Sequence, residues 1–192
     1  MKDKDGNETK VTVDKDDGIR ATTTVAGLGK LKPAFQKNGT TTAGNSSQVT
    51  DGASCILLAR RDVAMRNGCK IIGRIVSFAV AGVPPKVMGI GPAYAIPAAL
   101  QNCGLSINDI DIFEVNEAFA SQATYCVRKL GIPKEKLNPK GGAIALGHPL
   151  GNTGSRLICT LMHELERTQK RFGVVSMCIG TGMGACGVFE RE

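Results

Sequence analysis

The sequence has 192 residues, enough for one domain with a sizeable core or one and a half small ones, and its 4% aromatic content with no tryptophan argues against an aromatic-rich β sandwich. Its formal charge of +7 comes from scattered lysines and arginines, with no basic block and no interleaved aromatics, which argues against nucleic-acid binding and leaves room for an anionic small ligand. Seven cysteines without a CxxC pair give neither a zinc site nor a disulfide framework, so reduced, mostly core-filling thiols are expected.

Residues 1–16, MKDKDGNETKVTVDKD, are nearly all polar and read as an exposed segment with a short strand at KVTV. The Thr- and Gly-rich stretch 17–47 has no sustained period. From Asp51 an order appears: an apolar strand-like run GASCILLA, a helical pattern RRDVAMRNG stopped by Gly68, and a β-branched strand KIIGRIVSFAV. Pro92 opens a helix that Gly104 ends, with Pro97 tolerable only near its first turn. DIDIFEV is a strand, after which Phe119, Ala123, Cys126, Val127 and Leu130 recur at helical spacing. Leu157, Ile158, Leu161, Met162 and Leu165 mark one face of a further helix, capped by Asn152 or Thr153. FGVVSMCIG and GACGVFE close the chain as two strands. Repeated βα units predict an α/β fold with a mixed sheet flanked by helices, its glycine-rich segments at the strand ends where such sheets bind ligands. No apolar stretch is long enough to span a membrane without charge.

Three residues fall at those ends. His148, one of only two histidines, stands in GGAIALGHPLGNTGSR; Asn116 stands in VNEAF; Cys178 stands in MCIGTGMG. A histidine near its ordinary pKa moves protons, a stabilised thiolate is a nucleophile or acid/base, and an asparagine orients a water or an oxyanion. Together these types suit carbonyl chemistry. Each singly has a plainer reading: a loop histidine as a structural group, Cys178 as strand filler, Asn116 as a helix N-cap. His163, among LMHELER, is read as structural. GTGMG lies between two terminal strands with no following helix, so it is not a dinucleotide fingerprint.

Taken in order, AGNSSQVTDGAS, NEAFA, NPKGGAIALGHPLGNTGSR and CIGTGMGACGVFE resemble the motifs of the thiolase family, and GIGPAYAIPAAL is similar to its peroxisomal 3-ketoacyl-CoA branch, plant members included. The resemblance implies a thiolase-like α/β fold with a mixed five-stranded sheet. It assigns 1–45 to a loop-domain tail, 46–69 to the end of the N-terminal domain and 70–192 to the C-terminal βαβαββ domain. It implies thiolytic cleavage of 3-ketoacyl-CoA by coenzyme A in fatty-acid β-oxidation, with CoA as substrate, no cofactor and no metal. His148 would deprotonate the nucleophilic cysteine and share an oxyanion hole with a water held by Asn116. Cys178 would be the second acid/base, and the Gly180 N–H would bind the other thioester oxygen. Ser47 would lie against the pantetheine arm, with Ala118 and Phe119 lining the acyl end.

In that family the nucleophile stands in a motif of the first half that this sequence does not contain, and none of Cys55, Cys69, Cys103, Cys126, Cys159 or Cys186 stands in a matching one. Two readings follow: an acyltransferase segment lacking its nucleophile, or a non-catalytic half-thiolase that binds acyl-CoA or a full-length subunit. A ketoacyl synthase, which uses histidine in place of the second cysteine, fits Cys178 poorly. A homodimer and a peroxisomal location are implied by the resemblance alone; the sequence carries no targeting signal and ends Arg191-Glu192 rather than S-K-L, which leaves the cytoplasm if it is untargeted. Unpaired sheet edge and exposed apolar surface predict self-association or marginal stability.

Overall fold

Ile112 and Phe113 are adjacent in sequence yet pack into opposite layers, and this two-residue alternation organises the molecule. The structure, a computed structural model, describes residues 2, 4–15, 18 and 20–192. Its sheet contains β1 (Gly73–Gly82), β2 (Ile112–Val115), β3 (Phe172–Ile179) and β4 (Met183–Arg191) in the spatial order β1-β4-β3-β2. β3 and β4 form an antiparallel hairpin, β1 pairs antiparallel with β4, and β2 runs parallel to β3. The parallel pair requires a crossover, supplied by the helices between β2 and β3.

After two short helices, α1 (Val25–Leu28) and α2 (Arg61–Arg66), helix α3 (Pro92–Gln101) covers one face of the sheet. Its Ala95, Ile96, Ala99 and Leu100 meet Phe113, Val115, Val174, Cys186 and Val188. Phe113 is fully buried there, and truncation to alanine costs about 3–5 kcal/mol at such sites. Helix α6 (Thr153–Thr168) covers the other face, setting Leu157, Leu161 and Leu165 at i, i+4 spacing against Ile112, Val175 and Phe189. Helix α4 (Ala120–Leu130) packs beside α3 and ends at Gly131, whose φ of 65° reverses the chain. Ala123, Cys126, Leu157, Leu161 and Leu165 of the predicted helical stripes are buried and Val127, Leu130, Ile158 and Met162 partly so, whereas Phe119 precedes α4 and is exposed.

The predicted fifth strand is not formed among the described residues. The chain returns beside β2 only as an isolated parallel bridge of Leu137 to Phe113. Pro139 follows and Asn138 adopts φ 42°, which no continuing strand can accommodate. Asn138 replaces the strand with its side chain: Val115 N–H donates to its Oδ1 at 2.8 Å, and its Nδ2 donates back to the Val115 carbonyl at 2.9 Å. GASCILLA is likewise unpaired, with Leu57 and Leu58 exposed, because a strand needs a neighbour to receive its backbone groups. KVTV is not a strand either. Pro97 sits in the second turn of α3 rather than the first; the helix tolerates it on its exposed side.

Candidate active site

The site is built where β2 and β3 end side by side. Asn116 follows β2 directly, and its backbone N–H donates to the Ser176 carbonyl at 2.9 Å, so its amide is fixed by the parallel ladder before any side-chain contact is made. It is 1% exposed. His148 arrives on the loop after the short helix α5 (Ala143–Leu146), through Gly147 at φ 95°, where a side chain would strike Thr50.

These two predicted residues meet. Asn116 Nδ2 lies 3.3 Å from His148 Nε2, and His148 Nδ1 lies 2.7 Å from Thr153 Oγ1. An amide nitrogen can only donate, so Nε2 accepts and the ring proton sits on Nδ1, donated to the hydroxyl. That tautomer leaves Nε2 as the proton-accepting atom. Burial holds His148 below the ordinary histidine pKa, and the positive charge of Arg156 pushes in the same direction, so the imidazole is neutral at pH 7.

Of the remaining predicted residues, Ser47, Ala118 and Phe119 are joined in one wall that reaches His148 through Gln48, and Cys178 and Gly180 lie at the end of β3. Ser47 N–H donates to the Ala118 carbonyl at 2.9 Å, and Ser46 bridges Phe119, so the three predicted binding residues share one wall. Phe35 stacks edge-on against Phe119, centroids 6.2 Å apart. The carbonyl of the next residue, Gln48, accepts from His148 N–H at 2.7 Å. Cys178 lies two residues beyond Ser176 on β3, half-buried; burial pushes its thiol pKa up. It makes no hydrogen bond to His148 or Asn116 among the described residues. By strand alternation it shares the face of Val174, toward α4 and Cys126, whereas Arg156 and Glu114 lie toward α6. Gly180 forms the exposed β3–β4 turn at φ 54°. His163 is exposed on α6.

Sequence reasoning missed several participants. Thr153 was expected to cap α6, but its hydroxyl serves His148, and Asn152 makes no cap bond either: it accepts from Ser54 instead. Glu117 clamps the histidine loop to the Asn116 turn, accepting from Asn138 Nδ2 at 3.0 Å and from Ile144 N–H at 3.3 Å. Glu114 is an acid inside the apolar strand IFEV, fully buried, with neither carboxyl oxygen hydrogen-bonded. That placement was the available signal, since a charge rarely enters a central strand without a role.

Fold and site together define a mixed-sheet α/β protein in which a neutral histidine and an amide meet beyond the end of β2, with a thiol near the end of the neighbouring strand β3. Comparison with known proteins narrows this. The family model of the thiolase C-terminal domain matches residues 69–191, and that of the thiolase N-terminal domain matches residues 1–62. The chain belongs to the thiolase family. It is 67% identical over 189 residues to 3-ketoacyl-CoA thiolase A, peroxisomal, of Mus musculus, covering 98% of this chain and 45% of that protein. It is 63% identical to 3-ketoacyl-CoA thiolase 2, peroxisomal, of Arabidopsis thaliana, covering 98% of this chain and 41% of that protein. Among solved structures, the dimeric peroxisomal thiolase of Saccharomyces cerevisiae superposes with a TM-score of 0.88 at 54% identity, covering all of this chain and 47% of that one. The acetyl-CoA acetyltransferase of Bacillus anthracis gives a TM-score of 0.92 at 41% identity, with 97% and 47% covered. The chain thus spans less than half the length of these relatives.

Proposed function

We propose that this chain supplies the proton-transfer side of a 3-ketoacyl-CoA thiolase site, acting in peroxisomal fatty-acid β-oxidation within a homodimeric enzyme. On this reading residues 70–192 are the C-terminal domain, 46–69 the end of the N-terminal domain and 1–45 a loop-domain tail. The nucleophilic cysteine comes from outside this sequence.

His148 Nε2 takes that cysteine's proton, and the thiolate adds to the C3 carbonyl of the 3-ketoacyl-CoA. The resulting oxyanion is met by Nε2–H and by a water held on Asn116. Cleavage of the C2–C3 bond leaves an acyl-cysteine and the carbanion of acetyl-CoA, which Cys178 protonates. The Cys178 thiolate then deprotonates an incoming CoA thiol, whose sulfur takes the acyl group and frees the cysteine. A thiol pKa raised by burial suits the first of these tasks, because the group must hold its proton until the carbanion forms. The Gly180 N–H binds the second thioester oxygen, Ser47 lies along the pantetheine, and Ala118 with Phe119 borders the acyl chain.

The observation that carries this reading is the pair of contacts on His148, Thr153 Oγ1 at 2.7 Å from Nδ1 and Asn116 Nδ2 at 3.3 Å from Nε2, which direct the base atom of a neutral imidazole at the amide. The test is a thiolysis assay with acetoacetyl-CoA and a longer 3-ketoacyl-CoA, with mass spectrometry for acyl-cysteine. The folded chain alone is expected to be inactive and unacylated. The 192-residue chain joined to the portion of the mouse relative that it does not cover should turn over, and His148→Ala in that graft should abolish turnover. A mapped acyl-cysteine on the isolated chain, or an active His148→Ala graft, overturns the assignment.

A second reading, a non-catalytic partner of a full-length subunit, draws on the exposed Leu57, Leu58 and Phe78. It is favoured if the graft is inactive and the chain binds a full-length relative in pull-down with purified components.

A further inference from the structure

Asn116 is flanked by two carboxylates, Glu114 two residues before and Glu117 one after, and a single arginine is electrostatically coupled to both. Arg156 stands on α6 one turn beyond Thr153, the residue that holds His148 Nδ1. Both of its terminal nitrogens are buried and neither has a hydrogen-bond partner among the described residues; the same is true of both oxygens of Glu114. Burying two guanidinium nitrogens without hydrogen bonds is costly, so their retention here calls for a reason beyond packing.

The charged groups that act on this corner are Glu114 on β2, Glu117 at the turn, and Arg156 and Glu164 on α6. Glu164 is already matched by Arg167 at 2.6 Å and Lys140 at 3.4 Å. Arg156 therefore answers to Glu114 and Glu117. We infer that Arg156 is a positioning residue for the His148–Asn116 pair: a positive charge with buried terminal nitrogens, facing the carboxylates on either side of Asn116 and one helical turn from the residue that holds Nδ1, so that Nε2 stays unprotonated.

Burial pushes Glu114 up to about 7, with Arg156 opposing the rise. Near neutrality Glu114 is therefore only partly ionised, and it offsets the positive charge that acts on His148 incompletely. The inference rests on His148 acting as a base, but its test does not require turnover.

The experiment is an NMR pH titration of the imidazole signals in the 192-residue chain, with His163→Gln assigning the only other histidine. Wild type should titrate below the ordinary histidine value of about 6.5. Arg156→Met should move the His148 midpoint up by about half a unit or more, and Arg156→Lys should restore it most of the way to the wild-type position. A wild-type midpoint at or above the ordinary value overturns the inference, and this arm stands even if Arg156→Met fails to fold. So does a midpoint unmoved by Arg156→Met. If the titration behaves as expected while the graft above is inactive, the proposed reaction fails and the electrostatic role of Arg156 stands.

Discussion

The hydroxyl of Thr153 lies 2.7 Å from Nδ1 of His148, so the first residue of α6 accepts the ring proton that the Asn116 amide keeps off Nε2. Removing it by Thr153→Val keeps the side-chain shape and leaves Nδ1–H half-buried without an acceptor. In the active graft this should lower kcat about tenfold, roughly 1.4 kcal/mol, with KM little changed, and Thr153→Ser should restore most of it. Steady-state kinetics of the three proteins check this.

Cys178 separates the two halves of the reaction. Cys178→Ala in the graft should still form an acyl-cysteine, slowly, yet fail to complete turnover. Intact-mass spectrometry after a single addition of substrate reads the adduct, and normal turnover would remove Cys178 from the mechanism.

Glu114 makes stability depend on pH in an unusual direction. Its folded-state value, pushed up to about 7 from an ordinary 4.5, means that the folded chain keeps a proton the unfolded chain gives up. Its contribution is therefore fully present below about 4.5 and lost as pH rises to about 7, by roughly 3 kcal/mol at most. His148, held below its ordinary value, works the other way between its folded and unfolded pKa values. Thermal melts should show wild type more stable at pH 5 than at pH 7.5, and Glu114→Gln should remove that difference.

The clamp on the histidine loop has a steric signature. A methyl at Gly142 would run into the Glu117 carboxylate, which receives Ile144 N–H and Asn138 Nδ2. Gly142→Ala should destabilise the chain by about 1–3 kcal/mol and shift the His148 resonances, read by denaturant melts and heteronuclear spectra.

Apolar exposure on β1 predicts association. Phe78 is 62% and Ile75 53% exposed on this edge strand, alongside Leu57 at 85%. Sedimentation should show concentration-dependent self-association that Phe78→Ser weakens; a monomer at all concentrations would contradict it.

Much of this was legible in the sequence because local periodicity carried it. Leu157, Leu161 and Leu165 announced the buried stripe of α6, and the alternation in DIDIFEV announced β2. The union of His148 with Asn116 was accessible only through the motifs, since 32 residues separate them and no spacing rule joins a loop to a strand end. Asn138 standing in for a strand was illegible, because a side-chain amide can occupy a ladder position without any change in hydrophobic pattern. Thr153 was misread for a related reason: a hydroxyl at a helix start satisfies a capping rule whether or not it turns instead to a histidine in space.

The backbone at Ser47 and Gln48 holds two things at once, the Ala118 carbonyl on one side and the His148 N–H on the other. Adjacent α-carbons are about 3.8 Å apart, so a single residue's length fixes the offset between the wall assigned to the thioester's carrier arm and the base assigned to its chemistry. The segment serves as a ruler: a one-residue slip there would displace the grip and the proton acceptor together.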